Sequence, residues 1–200
     1  MDRQLTLFGS ASEAQQVAID GMTYCPRLLN VAEQRVVLAE VDRRSWNNDL
    51  KRRVQHYGYE YNYKARRVDR SMRLGDLPEF ATGVAAKLIE QSLLGQMPDQ
   101  LIVNEYLPGQ GIIAHIDCEP CFAEMIAMVS LGWAYEMDFI HARTQEMRSI
   151  LLETGSALVI SGQARHEWLH QIKARKSDRG VARQRRVSLT FRNVILESQP

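Results

Sequence analysis

Residues 114–121 read Ala-His-Ile-Asp-Cys-Glu-Pro-Cys and hold two metal-ligand spacings at once. His115-x-Asp117 offers an imidazole and a carboxylate, and Cys118-x-x-Cys121 offers two thiols. A structural zinc site wants four ligands. The third cysteine, Cys25, lies far upstream, and the chain has no second CxxC. A redox CxxC normally opens a helix after a strand, whereas Pro120 sits inside this one and its surroundings read as β. Cys118 and Cys121 are therefore expected to be small residues in a loop.

His115 and Asp117 gain weight from their setting. On a strand, residues i and i+2 point to the same side, so both can reach one ion. A second imidazole from a later strand would complete a two-histidine, one-carboxylate face, which leaves open positions on the metal and suits non-haem Fe(II) oxygenases. His56, His141, His166 and His170 are the candidates. His166 and His170 share the late run Arg165–Ile172, and four residues apart on a strand they would face one way.

Farther on, Arg186-Val-Ser-Leu-Thr-Phe-Arg192 alternates. On a strand, Arg186, Ser188, Thr190 and Arg192 share one face, while Val187, Leu189 and Phe191 pack the other. Two arginines on an inward face need an anion, and a dicarboxylate answers because guanidinium pairs with carboxylate bidentately. An exposed basic face on an edge strand is the plainer alternative.

These residues need elements to position them. Asn30-Val-Ala-Glu33 has the pattern of a capping box, so a helix is expected from there to about Arg43. Leu77-Pro78 opens a second, with Pro78 in its first turn and Gly95 after its end. From Leu101 onward, short apolar or alternating runs are separated by turn signals. They are 101–106, 112–116, 125–131, 135–140, 149–152, 157–160, 167–172 and 186–195. Eight short strands suggest an all-β sandwich or jelly roll, with helices before it.

The chain of 200 residues, 45% of them hydrophobic, suits one domain with a sizeable core. It has no run of about 18 apolar residues, so no membrane span is expected, and its start has too short an apolar stretch for a signal peptide. Three cysteines make no disulfide scaffold and suggest a reduced, cytoplasmic setting. The net charge is +1, but it is unevenly spread. Residues 43–73 carry ten Lys/Arg and three Asp/Glu, 74–164 carry three and twelve, and 165–200 carry nine and three. The two basic segments could form a rim for a polyanion.

Taken in order, the sequence resembles the AlkB family of Fe(II)/2-oxoglutarate dioxygenases over roughly residues 50–195. The pieces are Asn104-Glu-Tyr106-x-Pro108-Gly109, His115-x-Asp117, Ser130-Leu131-Gly132, Ser161-Gly162, Arg165 to His170-x-Ile172, and Arg186 through Arg192. The resemblance implies an α+β fold. A double-stranded β-helix, or jelly roll, forms its core, and N-terminal helices pack on one sheet. Residues 1–12 would be a flexible tail and 13–200 a single domain, with 45–75 a substrate-facing lid.

By this resemblance His115, Asp117 and His170 are the iron ligands, His170 over His166 because it precedes x-Ile and follows Trp168. Arg186 pairs with the distal carboxylate of 2-oxoglutarate, helped by Tyr106 and Ser188. Asn104 and Arg192 lie near its metal-proximal end. The implied reaction consumes Fe(II)-bound 2-oxoglutarate and O2, yields succinate and CO2, and hydroxylates a C–H bond. On an N-methyl group the product falls apart to formaldehyde and the free base. Glu119 resembles an acidic residue that contacts the amine of a methylated base such as 1-methyladenine or 3-methylcytosine.

Arg53, Tyr57, Tyr59 and Tyr61 lie in a basic-aromatic stretch that resembles the lid, where rings could stack on an extruded base. The competing readings are a hydroxylase of a tRNA base, protein or small molecule, and a non-catalytic nucleic-acid-binding module. The intact ligand sets argue against the second. Cys118, beside Asp117, is a candidate for oxidation by uncoupled turnover. Gln4-Leu-Thr-Leu-Phe8 resembles the peptide by which bacterial repair and replication proteins dock on the sliding clamp. A monomer is expected.

Overall fold

The computed structural model describes residues 18–196. The clamp-like peptide Gln4–Phe8 and the 1–12 tail lie outside the described residues.

The described residues begin with a short strand, β1 (Met22–Cys25), and a helix, α1 (Val31–Asp42). The capping box forms as read: the Asn30 side chain accepts from the Glu33 N–H at 3.0 Å, and Glu33 accepts from the Asn30 N–H at 2.8 Å. These bonds satisfy N–H groups that a helix start leaves without partners. After β2 (Val54–Tyr57) comes α2 (Glu79–Glu90). Pro78 is its N-cap rather than a first-turn residue. Its end is set by Ser92, which takes a left-handed φ of 55°, so Gly95 is not the stop.

The strands follow: β3 (Gln100–Tyr106), β4 (Ile112–His115), β5 (Ile126–Leu131), β6 (Tyr135–His141), β7 (Met147–Leu152) and β8 (Ala157–Ile160). A single helical turn, α3 (Gly162–His166), precedes β9 (Trp168–Ile172). The small hairpin β10 (Ser177–Asp178) and β11 (Val181–Ala182) leads into β12 (Arg186–Arg192).

Among the described residues two large antiparallel sheets result, in the orders β1-β8-β5-β12-β3-β2 and β4-β9-β6-β7, beside the two-stranded β10–β11 pair. All eight expected runs form strands, with ends shifted by a few residues. β1, β2, α3 and the β10–β11 hairpin are additions that the sequence reading did not contain. β12 is a central strand, hydrogen-bonded to β3 and β5, which excludes the exposed-edge alternative for its arginines.

Alternation along the large sheet divides two cores. Val187, Leu189 and Phe191 pack with Leu101, Val103 and Val129 against Val37 and Val41 of α1 and Phe80, Val84 and Leu88 of α2. Each such fully buried aliphatic side chain contributes on the order of 1.5–3 kcal/mol. On the inner face, Met128, Leu158 and Ile160 meet Tyr135, Met137, Phe139 and Leu152 of the small sheet. The architecture is the expected jelly roll with helices on one sheet. The inner faces of β3, β12 and β9 lead toward the candidate site.

Candidate active site

The β4–β9 pairing sets His115 directly opposite His170. Their ring centroids are 4.3 Å apart. The His115 Nδ1 lies 2.8 Å from the Ile113 carbonyl oxygen. An N–H there fixes the tautomer and leaves Nε2 free to ligate. Asp117 follows two residues past the end of β4, with Oδ2 3.8 Å from His170 Nε2. Its Oδ1 accepts from Arg192 Nη1 at 3.1 Å.

Burial pushes the Asp117 carboxyl up, but the neighbouring Arg192 guanidinium, foremost among the groups around it, outweighs this and holds it below the ordinary carboxylate range. His170 is pushed down to about 4, first by burial and then by His115. Both shifts favour the ligating forms, a carboxylate and a neutral imidazole.

The donors fit Fe(II) in type and in chain placement. Among the described residues no three such donors stand at coordination spacing, and one Asp117 oxygen accepts from Arg192. His170 Nδ1 is buried without a hydrogen-bond partner.

The dicarboxylate end fits more directly. Arg186 is fully buried. Its Nη2 donates to Ser130 Oγ at 2.8 Å and to Ser188 Oγ at 3.3 Å. Its Nε and Nη1 have no partner, and neither does Arg192 Nε. A buried guanidinium with two unpartnered nitrogens and, among the described residues, no carboxylate paired with it is costly unless an anion joins it. Tyr106 lies under Arg186, 5.4 Å from ring centroid to guanidinium carbon. Asn104 Oδ1 accepts from Arg52 Nε at 3.0 Å. Ser130, in the Ser-Leu-Gly piece, is an Arg186 partner that the sequence reading did not single out.

The lid residues divide by face. His56 pairs with Ile102 across β2–β3 and so shares the inner face. Its Nδ1 accepts from the Tyr61 N–H at 3.2 Å, and its Nε2 lies 3.4 Å from the Tyr63 hydroxyl. Burial, then Arg192 and Arg52, push His56 down to about 4, so it is neutral near pH 7. Tyr61 meets Tyr63 edge-on at 4.9 Å and Phe122 at 5.5 Å. Phe122 in turn lies under Arg192, at 4.1 Å.

Arg53 and Tyr57 have the opposite parity and lie on the other face. Arg53 pairs with Glu105 at 2.9 Å and stacks on Trp46 at 4.6 Å. Both line a separate open cleft of about 880 Å³. Tyr57 packs edge-on against Phe80 of α2. Neither is placed to touch a substrate at the triad, which corrects the reading of both. Tyr59 is tied through its backbone to Gln100 and Arg73. Within the same stretch Arg52, His56 and Tyr63 are the residues on the inner side.

His166 ends α3 instead of lying on β9, so it does not face the way His170 does. Its Nε2 lies 2.9 Å from Glu124 and its Nδ1 3.4 Å from Glu119. Hydrogen bonding to Glu124 raises its pKa. Glu119 is thus an exposed loop carboxylate already engaged by a histidine. His141 stacks edge-on with Trp168 and takes no part in the triad.

Arg165 is also buried, and it donates to the carbonyls of Asp117, Cys118, Phe122 and Ala123 at 3.0–3.5 Å. It anchors the loop that carries Asp117. Cys118 and Cys121 are not loose loop residues: both are buried, and the structure joins them as a disulfide.

Comparison with known proteins bears on the family and the fold. The family model of the 2OG-Fe(II) oxygenase superfamily matches residues 10–192. A mouse protein named tRNA (carboxymethyluridine(34)-5-O)-methyltransferase ALKBH8 is 36% identical over 166 residues. That match covers 79% of this chain and 25% of the mouse protein. An Arabidopsis thaliana protein named Alkylated DNA repair protein ALKBH8 homolog is 35% identical, covering 90% of this chain and 60% of its own. The chain thus spans a quarter and three-fifths of these relatives' lengths. The solved structure of OsALKBH1 superposes with a TM-score of 0.70 at 17% identity, covering 89% of this chain and all of that one; this likeness concerns the fold. Triad, buried arginine, jelly roll and family match lead to one assignment: the chain is an Fe(II)/2-oxoglutarate-dependent oxygenase of the AlkB family.

Proposed function

We propose that the chain oxidatively demethylates N-alkylated nucleobases of the 1-methyladenine or 3-methylcytosine type in DNA or RNA. The observation that carries this reading is the rim beside Asp117. Arg52, His56, Tyr61 and Tyr63 lie on the inner side of the lid, and Tyr61 connects to Asp117 through Phe122 and Arg192. Aromatic faces there can stack on an extruded base while cationic side chains meet phosphates.

In this reading His115, Asp117 and His170 hold Fe(II). Arg186, aided by Ser130, Ser188 and Tyr106, binds the distal carboxylate of 2-oxoglutarate. When bound, the metal and cosubstrate supply, with O2, the oxidant that places one oxygen on a C–H bond. The chain's own part is to bind, orient and exclude water. Tyr61 and Tyr63 position the base, and Glu119, released from His166, accepts a hydrogen bond from its exocyclic amine. The hydroxymethyl group formed on nitrogen is lost as formaldehyde. The Arabidopsis relative's name, which speaks of alkylated DNA repair, is in keeping with this reading.

A second reading is hydroxylation of a tRNA base without loss of a group. The mouse relative's name, which speaks of a modified tRNA uridine, favours it. Mass spectrometry of products separates the two. Methylated DNA and RNA oligonucleotides and bulk tRNA would be incubated with the protein, Fe(II), 2-oxoglutarate and air. Loss of a methyl mass on the oligonucleotides supports demethylation. Gain of one oxygen mass on tRNA, with the oligonucleotides unchanged, replaces it with the second reading.

A further inference from the structure

Cys118 and Cys121 lie between the metal-ligand loop and the lid. Their Cα atoms are 5.2 Å apart, within the range a disulfide spans without moving the backbone. Each is 4% exposed, and they cluster with Phe122 against Tyr61 and Val68 of the lid. Both sulfurs lie 3.3 Å from one acceptor, the carbonyl oxygen of Arg66. Arg66 has a left-handed φ of 50°, a conformation that a non-glycine residue adopts at a cost of about 1 kcal/mol. The loop side of this contact is held by Arg165, which grips the carbonyls of Cys118 and Phe122. The lid side is joined by isolated bridges, Asn62–Arg67 and Tyr59–Arg73, by local bonds to the Asn62 side chain, and to the sheet through Gln100 on the Tyr59 carbonyl. A change at the sulfurs therefore acts where the metal-ligand loop meets the lid.

We infer that Cys118 and Cys121 are a reversible dithiol–disulfide pair whose state sets how firmly lid residues 59–68 are held over the metal loop. As thiols, both sulfurs carry a hydrogen that can be donated to the Arg66 carbonyl. As a disulfide, the state the structure shows, neither carries a hydrogen, so the 3.3 Å approach to the Arg66 oxygen is a contact without a hydrogen bond. The co-reactant is a low-molecular-weight disulfide such as oxidised glutathione. One protein thiolate attacks a sulfur of the oxidant, breaks its S–S bond and releases one small thiol. The second protein thiolate then attacks the mixed disulfide and releases the other. Two protein thiols are oxidised by two electrons, one S–S bond is reduced, and the two thiol protons end on the released molecules.

The test uses the full chain without metal or substrate, so it is independent of the proposed substrate. The protein is equilibrated with dithiothreitol or with oxidised glutathione. Free thiols are alkylated and mapped by peptide mass, and hydrogen exchange is followed over residues 59–68. Cys118 and Cys121 are expected to lose alkylation together under oxidant and regain it on reduction, with Cys25 behaving separately. Lid amides are expected to exchange about fivefold faster in the oxidised state, the effect of losing one weak hydrogen-bonded tie. In a Cys118→Ser/Cys121→Ser double variant the oxidant should have no effect on the lid. Continued alkylation of both cysteines under oxidant would overturn the inference. So would a disulfide that forms and leaves lid exchange unchanged.

Discussion

His115 and His170 face each other across the β4–β9 ladder, their ring centroids 4.3 Å apart. The pairing depends on a backbone approach one residue before β4. A Cβ on Gly111 would collide with the Ile172 carbonyl and stand 2.8 Å from the Ala174 nitrogen. Gly111→Ala should therefore push β4 from β9 at the Ile112–Ile172 pair. The expected cost is roughly 2 kcal/mol of stability, in the range for a forced backbone shift. Fe(II) affinity should fall with it. Urea unfolding and metal titration check both effects, and unchanged values would show that the ladder does not need the glycine.

Arg186 is expected to decide 2-oxoglutarate binding. Its Nε and Nη1 are buried without partners, and hydrogen bonds to charged groups contribute about 1.5–3 kcal/mol. Arg186→Gln should weaken 2-oxoglutarate binding by about 10- to 100-fold while leaving Fe(II) affinity nearly unchanged. Calorimetric titration of each ligand separates the two effects.

Acid should weaken the fold through His56. Its pKa in the fold, about 4, lies below the ordinary 6.5. As pH falls, the unfolded chain takes up this proton first. The stability is therefore fully present above pH 6.5 and lost between there and about 4. The loss from this group between pH 7 and pH 5 is roughly 2 kcal/mol. His170 adds a loss of the same sign in the metal-free protein. His56→Gln should flatten the curve by its share, measured by urea unfolding at the two pH values.

Arg165 should matter to the metal without touching it. It binds carbonyls on both sides of the cysteine pair, including that of Asp117. Arg165→Met leaves several buried carbonyls short of a donor, at about 1–3 kcal/mol. Fe(II) affinity should fall as Asp117 loses its fixed position. Asp117→Asn in the same background should then add less than it does alone, a coupling that a double-mutant cycle measures.

Much of this site could be read from the sequence, for identifiable reasons. His115 and Asp117 were legible because two residues of separation put side chains on one side of an extended chain. The alternation of Arg186–Arg192 was legible for the same reason. Parity alone does not say which side faces in, so Arg53 and Tyr57 were read toward the site when Arg52 and His56 occupy that face. The turn α3 was hidden in a run that resembles a strand, and it carries His166 away from His170. Arg165 was recognised only as the start of that run. A buried arginine satisfied by carbonyls, with no carboxylate paired to it, leaves no pattern in one sequence. The pairing of Cys118 with Cys121 and their meeting with Arg66 are not legible because they depend on a lid contact more than fifty residues away in the chain.

The most direct test of nucleobase demethylation is its coupling. Succinate and formaldehyde would be measured together while the protein, with Fe(II), 2-oxoglutarate and air, acts on oligonucleotides carrying 1-methyladenine or 3-methylcytosine, with His170→Ala as the blank. The expected result is one formaldehyde per succinate on at least one methylated strand, with both products lost in the blank. Succinate that depends on His170 but comes with no formaldehyde on any methylated strand would contradict it.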